Sequence, residues 1–154
     1  MSPLPIVMWP DKRLRTECGL VYAFDQELRD LADVMLATMY AARGRGLAAP
    51  QVGVLKRLFV MDDGWKSGNP EPLVCVNPTV AQISTDKKSG VEQCLSIPNY
   101  PVTVKRYTEV QLRWSDLDGN VHHRALSGSA AVIAQHEADH LDGKLILEQM
   151  DHAV

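Results

Sequence analysis

The spacing of apolar residues changes along this chain, and each change marks an element. Between Asp25 and Ala42 they recur at Leu28, Leu31, Met35, Leu36 and Met39, one face of a helix with Asp25 as N-cap and Gly44 near its end. Further on, the pattern shortens to runs rich in Val and aromatic residues. Leu58 to Met61, Leu73 to Val76, Val102 to Tyr107 and Val110 to Trp114 are predicted as strands. Asp118-Gly119 is a tight-turn dipeptide, so Val110 to Trp114 and His122 to Leu126 should pair antiparallel. A second helix is expected from about Ser129 to Leu141, capped by Ser127 or Ser129 and stopped by Gly143 at C′. Its Ala130 to Ala134 stretch is apolar on nearly every side, as in a helix buried between sheet layers. The polar stretches Asp62 to Pro72 and Thr85 to Gly90 read as loops. The order helix, strands, helix indicates an α+β fold, with antiparallel strands packed around the second helix.

Composition narrows the picture little but excludes several classes. The 154 residues suit a single domain spanning 1–154, and 45% apolar with 23% charged residues is ordinary for a globular chain. With a net charge of -3 and scattered Lys and Arg, no nucleic-acid platform is visible. Pro and Asp interrupt the first residues where a secretion signal needs an apolar run. No later run approaches the ~20 residues of a membrane span, so a cytoplasmic protein without a membrane partner is expected. The three cysteines, Cys18, Cys75 and Cys94, lack CxxC spacing, which argues against a disulfide framework. Cys18 and Cys75 read as small buried residues. Oligomeric state is left open.

The chemistry concentrates on the second helix. His136 and His140 lie four positions apart, so they project from one face and can reach one metal ion. Glu137, next to the first His, is placed to take a proton from a water that the metal acidifies. Three titratable side chains on an otherwise apolar helix are costly unless something pairs with them. A catalytic site of this kind needs a third protein ligand and an open position. In the extended motif HExxHxxGxxH, Gly143 matches the glycine while Ile146 occupies the place of the third His, which excludes that subclass. Asp142, Glu148 and His152 remain downstream as third ligands, and Cys94 upstream.

Three segments, Gly44-Arg45-Gly46-Leu47-Ala48-Ala49-Pro50-Gln51, Glu92-Gln93-Cys94-Leu95-Ser96 and Gln135-His136-Glu137-Ala138-Asp139-His140-Leu141-Asp142-Gly143, resemble the signature motifs of peptide deformylases, in the right order. Trp9-Pro10-Asp11 through Leu14-Arg15 extend the resemblance to nearly the whole chain. It implies a metal held by Cys94, His136 and His140, with Glu137 as proton shuttle. The Gln51 amide and the Leu95 N–H would stabilise the oxyanion. The implied reaction removes the formyl group from N-formylmethionyl peptides or nascent proteins, releasing formate. A thiolate ligand suits Fe2+, the family's common metal, with Zn2+ or Ni2+ as substitutes in a purified sample. Glu92 and Arg106 would form a buried ion pair, and Gln135 and Asp139 would support the helix. Gly44, Arg45, Gly46 and Gln93 would line the peptide groove, the glycines where backbone approaches a ligand, and Val132 and Ile133 the methionine pocket.

The chain departs from the family pattern where Arg45 replaces Ile or Val and Gln93 replaces Gly, and only 14 residues follow His140. No implied ligand, base or oxyanion donor is lost. Both substitutions flank the groove, where Arg45 would set a cation at the rim and favour acidic peptides modestly. Two other readings remain: a divergent homologue that cleaves another short N-acyl amide, and a non-catalytic, metal-retaining binder of N-terminal peptides. Glu137 argues against the last, since a binder has no use for a base beside a metal.

Overall fold

The structure, a computed structural model, describes residues 2–150. Its elements are helix α1 (Gln26–Ala41), strands β1 (Gly46–Ala48), β2 (Leu58–Met61), β3 (Leu73–Gln82), β4 (Lys87–Cys94), β5 (Ile97–Tyr107), β6 (Glu109–Ser115) and β7 (Val121–Ser127), and helix α2 (Gly128–Leu141). Five strands form one sheet in the order β1-β2-β3-β6-β7, and β4 and β5 form a second. Every pairing between these strands is antiparallel, so the fold is α+β.

Helix α1 begins where the Asp25 carboxylate accepts from the Leu28 N–H at 3.0 Å, satisfying a donor that the first turn leaves unpaired. Leu28, Ala32, Met35 and Met39 are buried on its inner face. Leu28, Met35 and Met39 join Leu47, Leu58, Val60 and Val76 from the sheet in one apolar cluster. The chain then leaves the helix through Arg43, at φ 58.

Ser127 stands at the N-cap of helix α2, one of the two expected positions, but without a bond from its side chain. The Ser129 hydroxyl donates to Asp63 at 2.7 Å. Ala131, Ile133, Ala134 and Leu141 pack with Phe59, Cys75, Val110, Leu112 and Trp114 of the large sheet. Gln135 ties the helix to β5, its amide exchanging bonds of 3.0 and 2.9 Å with the backbone of Tyr107. Gly143 ends the helix at φ 72, and a Cβ there would meet the Arg15 carbonyl at 2.7 Å. Both the backbone and the space demand glycine.

The sheets depart from the sequence reading mainly around β4. Lys87 to Gly90 fall in a strand, not the expected loop, and β5 starts at Ile97 instead of Val102. Only Glu92 and Cys94 of β4 are buried, so the strand carries no apolar alternation and is held by its ladder to β5. Strand β3 runs on past Val76 to Gln82 through an irregularity before Thr79. There Asn77, at φ 48, clasps the Val21 backbone with bonds of 2.8 and 2.9 Å.

Candidate metal centre and active site

Cys94 ends β4 at the tight turn into β5, while His136 and His140 rise from α2 opposite it. Their potential ligand atoms lie within 4.8 Å of one another. The Cys94 Sγ is 3.3 Å from His140 Nε2, and all three residues are buried. Burial, and then the charges of His136 and Arg106, push His140 well below its ordinary pKa, so its imidazole stays neutral with a lone pair to give. Burial also opposes a charge on His136, but Glu137, Cys94 and Glu92 outweigh it and raise the imidazole to about 10. One cysteine sulfur and two imidazoles, that of His140 neutral, would together hold a divalent cation. The donor set fits a transition metal.

Two of the alternative third ligands are engaged elsewhere. Asp142 is paired with Arg57 at 2.8 Å and Glu148 with Arg15 at 2.8 Å. His152 lies outside the described residues. Cys18 and Cys75 are buried in the core that α2 covers, and burial raises both thiols.

Behind His136 stands a chain of charges. Its Nδ1 is 2.9 Å from a Glu92 carboxylate oxygen, which leaves Nε2 for the metal side. Arg106 donates to both oxygens of Glu92 at 2.9 Å, and its remaining arm reaches Asp139 at 2.5 Å. Burial works to raise the Glu92 pKa, yet hydrogen bonds from His136 and Arg106 hold it at about 2. Asp139 is thus a partner of Arg106 more than a local helix support.

Glu137 is buried, and among the described residues its Oε1 has no hydrogen-bond partner. Burial lifts its carboxyl to about 7 despite the opposing charge of His136. A Cβ on Gly46 would fall 2.5 Å from Glu137 Oε2 and 2.9 Å from Ile133, and one on Gly44 would fall 2.7 Å from Leu95 Cδ1. The space these glycines leave is filled by the protein's own side chains, while both glycines still line the cleft.

Gln51 lies in a 3-10 turn, Ala49–Val52, that Pro50 helps to start. Its Oε1 accepts from the Ala48 N–H at 2.9 Å, which fixes the amide. Its Nε2 then points to Cys94 Sγ at 3.6 Å and Ser96 Oγ at 3.1 Å.

Residues 3–154 match the sequence profile of the Polypeptide deformylase family. The chain belongs to that family. It is 40% identical over 154 residues to the peptide deformylase of Zymomonas mobilis, covering 97% of this chain and 87% of that protein. A peptide deformylase of Rhodopseudomonas palustris strain BisB18 is 44% identical over 152 residues, at 97% and 87% coverage. The crystal structure of peptide deformylase from Thermotoga maritima superposes with a TM-score of 0.91 at 35% identity, covering 98% of this chain and 99% of that one. That from Synechococcus elongatus in complex with actinonin gives 0.93 at 37% identity, covering 99% and 83%. Peptide deformylases are metal-dependent hydrolases that remove the N-formyl group from nascent peptides.

In this deformylase a cleft of about 530 Å³ opens over the donors. Gly44, Arg45, Gly46, Gln51, Gln93, Leu95, Val132 and Ile133 line it together with Glu92, Cys94, His136 and Glu137. Arg106, Asp139 and His140 lie behind it. Gln93 is exposed where the β4–β5 register breaks between Glu92 and Cys94. Arg45 is not a free cation, because Asp63 lies 3.7 Å from its guanidinium. The motif reading did not assign Ser96, although it stands in a quoted motif. It also left unassigned Arg43, between the first helix and the Gly44 motif, and Trp65 and Lys66, in a stretch read as a loop.

Proposed function

We propose that this chain binds one divalent transition metal through Cys94, His136 and His140 and hydrolyses N-formylmethionyl peptides, with Glu137 as general acid/base. The observation that carries this reading is Glu137 itself, a buried carboxylate with a partnerless oxygen beside three metal donors. Fe2+ is the proposed cellular metal, since one thiolate and two imidazoles suit it, with Zn2+ or Ni2+ as substitutes. When bound, such an ion supplies Lewis acidity that brings water toward a pKa of ~7.

Glu137, whose carboxyl burial raises, is placed to accept a proton from the attacking water and return it. The proton passes to the amide nitrogen as the C–N bond breaks, so formate and a free amine leave. The Gln51 amide, already fixed by Ala48, and the Leu95 N–H donate to the carbonyl oxygen as it gains charge. Because β1 and β4 each form an edge of their sheet, an extended peptide can pair along the cleft between them. A neighbouring cavity of about 340 Å³, lined by Val91, Val104, Val132 and Ile133, is assigned to the methionine side chain.

Among the described residues no helix is long and apolar enough to cross a membrane, and we assign the protein to the cytoplasm, where nascent chains emerge. The test is metal content and formate release from a formyl-Met peptide. Cys94→Ala is expected to lose most of its metal and its turnover together; full metal content in that variant would falsify the ligand set.

A further inference from the structure

Cations outnumber acids at the mouth of the cleft. Arg43, Arg45 and Lys66 line it, whereas the acids lining the same cleft, Glu92 and Glu137, are buried. Trp65 organises the cations. Its indole N–H donates to the Gly44 carbonyl at 2.9 Å, and its ring meets Tyr40 edge-on at 5.3 Å. Tyr40 is held in turn by the buried Asp62 at 2.5 Å. Arg43 and Lys66 sit 5.6 and 5.7 Å from the centre of the Trp65 ring. Arg45 has Asp63 at 3.7 Å, but neither Arg43 nor Lys66 forms an ion pair among the described residues. Burial, and then the charges of Arg45 and Arg43, lower the Lys66 pKa, the response expected of an ammonium in a positive field.

We propose that Arg43 and Lys66, held by Trp65 and supported by Arg45, form an anion-binding rim that selects formyl peptides bearing a carboxylate downstream of methionine. The inference rests on the deformylase reading of the cleft. Holding three cations together with Asp63 as the one acid paired to them among the described residues is unfavourable, and a ligand carboxylate relieves it. A peptide is favoured over a nucleic acid because these cations line the cleft that leads to the metal donors, on a chain of net charge -3. The carboxylate can be an acidic side chain or the C-terminus of a short peptide.

The experiment compares kcat/KM on formyl-Met-Ala-Asp and formyl-Met-Ala-Asn, each with a free or an amidated C-terminus. With amidated ends, the acidic peptide is expected to win by about fivefold at low salt, through KM, and to lose that advantage near 0.5 M salt, where screening acts within ~4 Å. A free C-terminus should add a similar gain to the neutral peptide if the rim reads that group. Arg43→Asn with Lys66→Gln should bring the acidic-to-neutral ratio toward one; Asn suits the left-handed backbone at position 43. Lys66→Glu should lower the ratio further, with metal content unchanged. Equal kcat/KM for all four peptides in the parent, or a ratio that survives both variants, overturns the rim and leaves the deformylase reading standing. No formate from any peptide overturns that reading, and the rim with it.

Discussion

On the β4–β5 side of the cleft, Glu92 and Arg106 are only 8% and 7% exposed and share two bonds of 2.9 Å. On the β1 side, the Arg45 and Asp63 side chains are 45% and 35% exposed and 3.7 Å apart. Similar chemical groups do different work in these two settings. The buried pair has lost its water, so its geometry and its hydrogen bonds must replace solvation, and the result fixes the ring of His136. The open pair keeps its water, so it orders little and interacts weakly. Charge in the dry region sets structure, whereas charge at the wet rim can only bias what binds.

The strongest way to break this contrast is Arg106→Ala, which leaves Glu92 and Asp139 without their cation. A loss of about 3–5 kcal/mol is expected in urea unfolding, since removing one member of a buried pair strands the other. Arg106→Lys should rescue little, because an ammonium cannot make the two-armed contact. A loss below 1 kcal/mol would mean that the pair behaves like a surface one.

Glu137→Gln comes next. It should lower kcat by on the order of 100-fold or more while keeping the metal, as elemental analysis and a formate assay would reveal. A pH readout accompanies it in the metal-free protein. Burial raises the Glu137 carboxyl from its ordinary 4.5 to about 7, so the folded state holds this proton more tightly than the unfolded one. Its contribution is complete below about 4.5 and is lost as pH rises through about 7. The parent should therefore lose more stability between pH 5 and 8 than the variant does, by on the order of 2 kcal/mol. Parallel curves would show that the carboxyl is not perturbed in this way.

Glu92→Gln sharpens the comparison, because the amide keeps the shape and removes the charge behind His136. Metal affinity should fall by about 10–100-fold, measured by competition with a chelator. The smallest effect belongs to the rim. Arg45→Ile with Gln93→Gly should alter the preference between acidic and neutral formyl peptides by only ~0.2–1 kcal/mol, and less in high salt. Unchanged kcat/KM on both substrates would mean that these side chains point away from the groove.

The same difference between dry and wet regions explains what could be read from the sequence. The burial-driven elements were legible: α1 starts after Asp25, and β2 covers Leu58–Met61 as the apolar run predicted. Strand β4 was not, because hydrophobic periodicity reports burial and not pairing, and most of β4 faces water. Strand β1 has three residues, too few to show any period. At the site, the motif residues gather at one cleft, since metal donors and their neighbours must occupy fixed places in the chain. Ser96 beside Gln51, Asp139 on Arg106 and the Trp65 platform depend on contacts between distant segments, for which a single sequence holds no local signal. At Gly46 the sequence holds no sign that the protein's own Glu137 and Ile133 take the missing side chain's space, since a glycine-rich turn looks the same either way.

Gly46 also bears on how such a site tolerates change over many generations. Its backbone is not among the positive-φ positions, so alanine or serine would meet no conformational penalty there. The obstacle is the Glu137 carboxylate, 2.5 Å from where a Cβ would stand. A side chain at this position would keep an acceptable main chain and displace the Glu137 carboxylate and the buried Ile133, 2.9 Å away, instead. What keeps position 46 bare is thus its neighbours and not its own backbone.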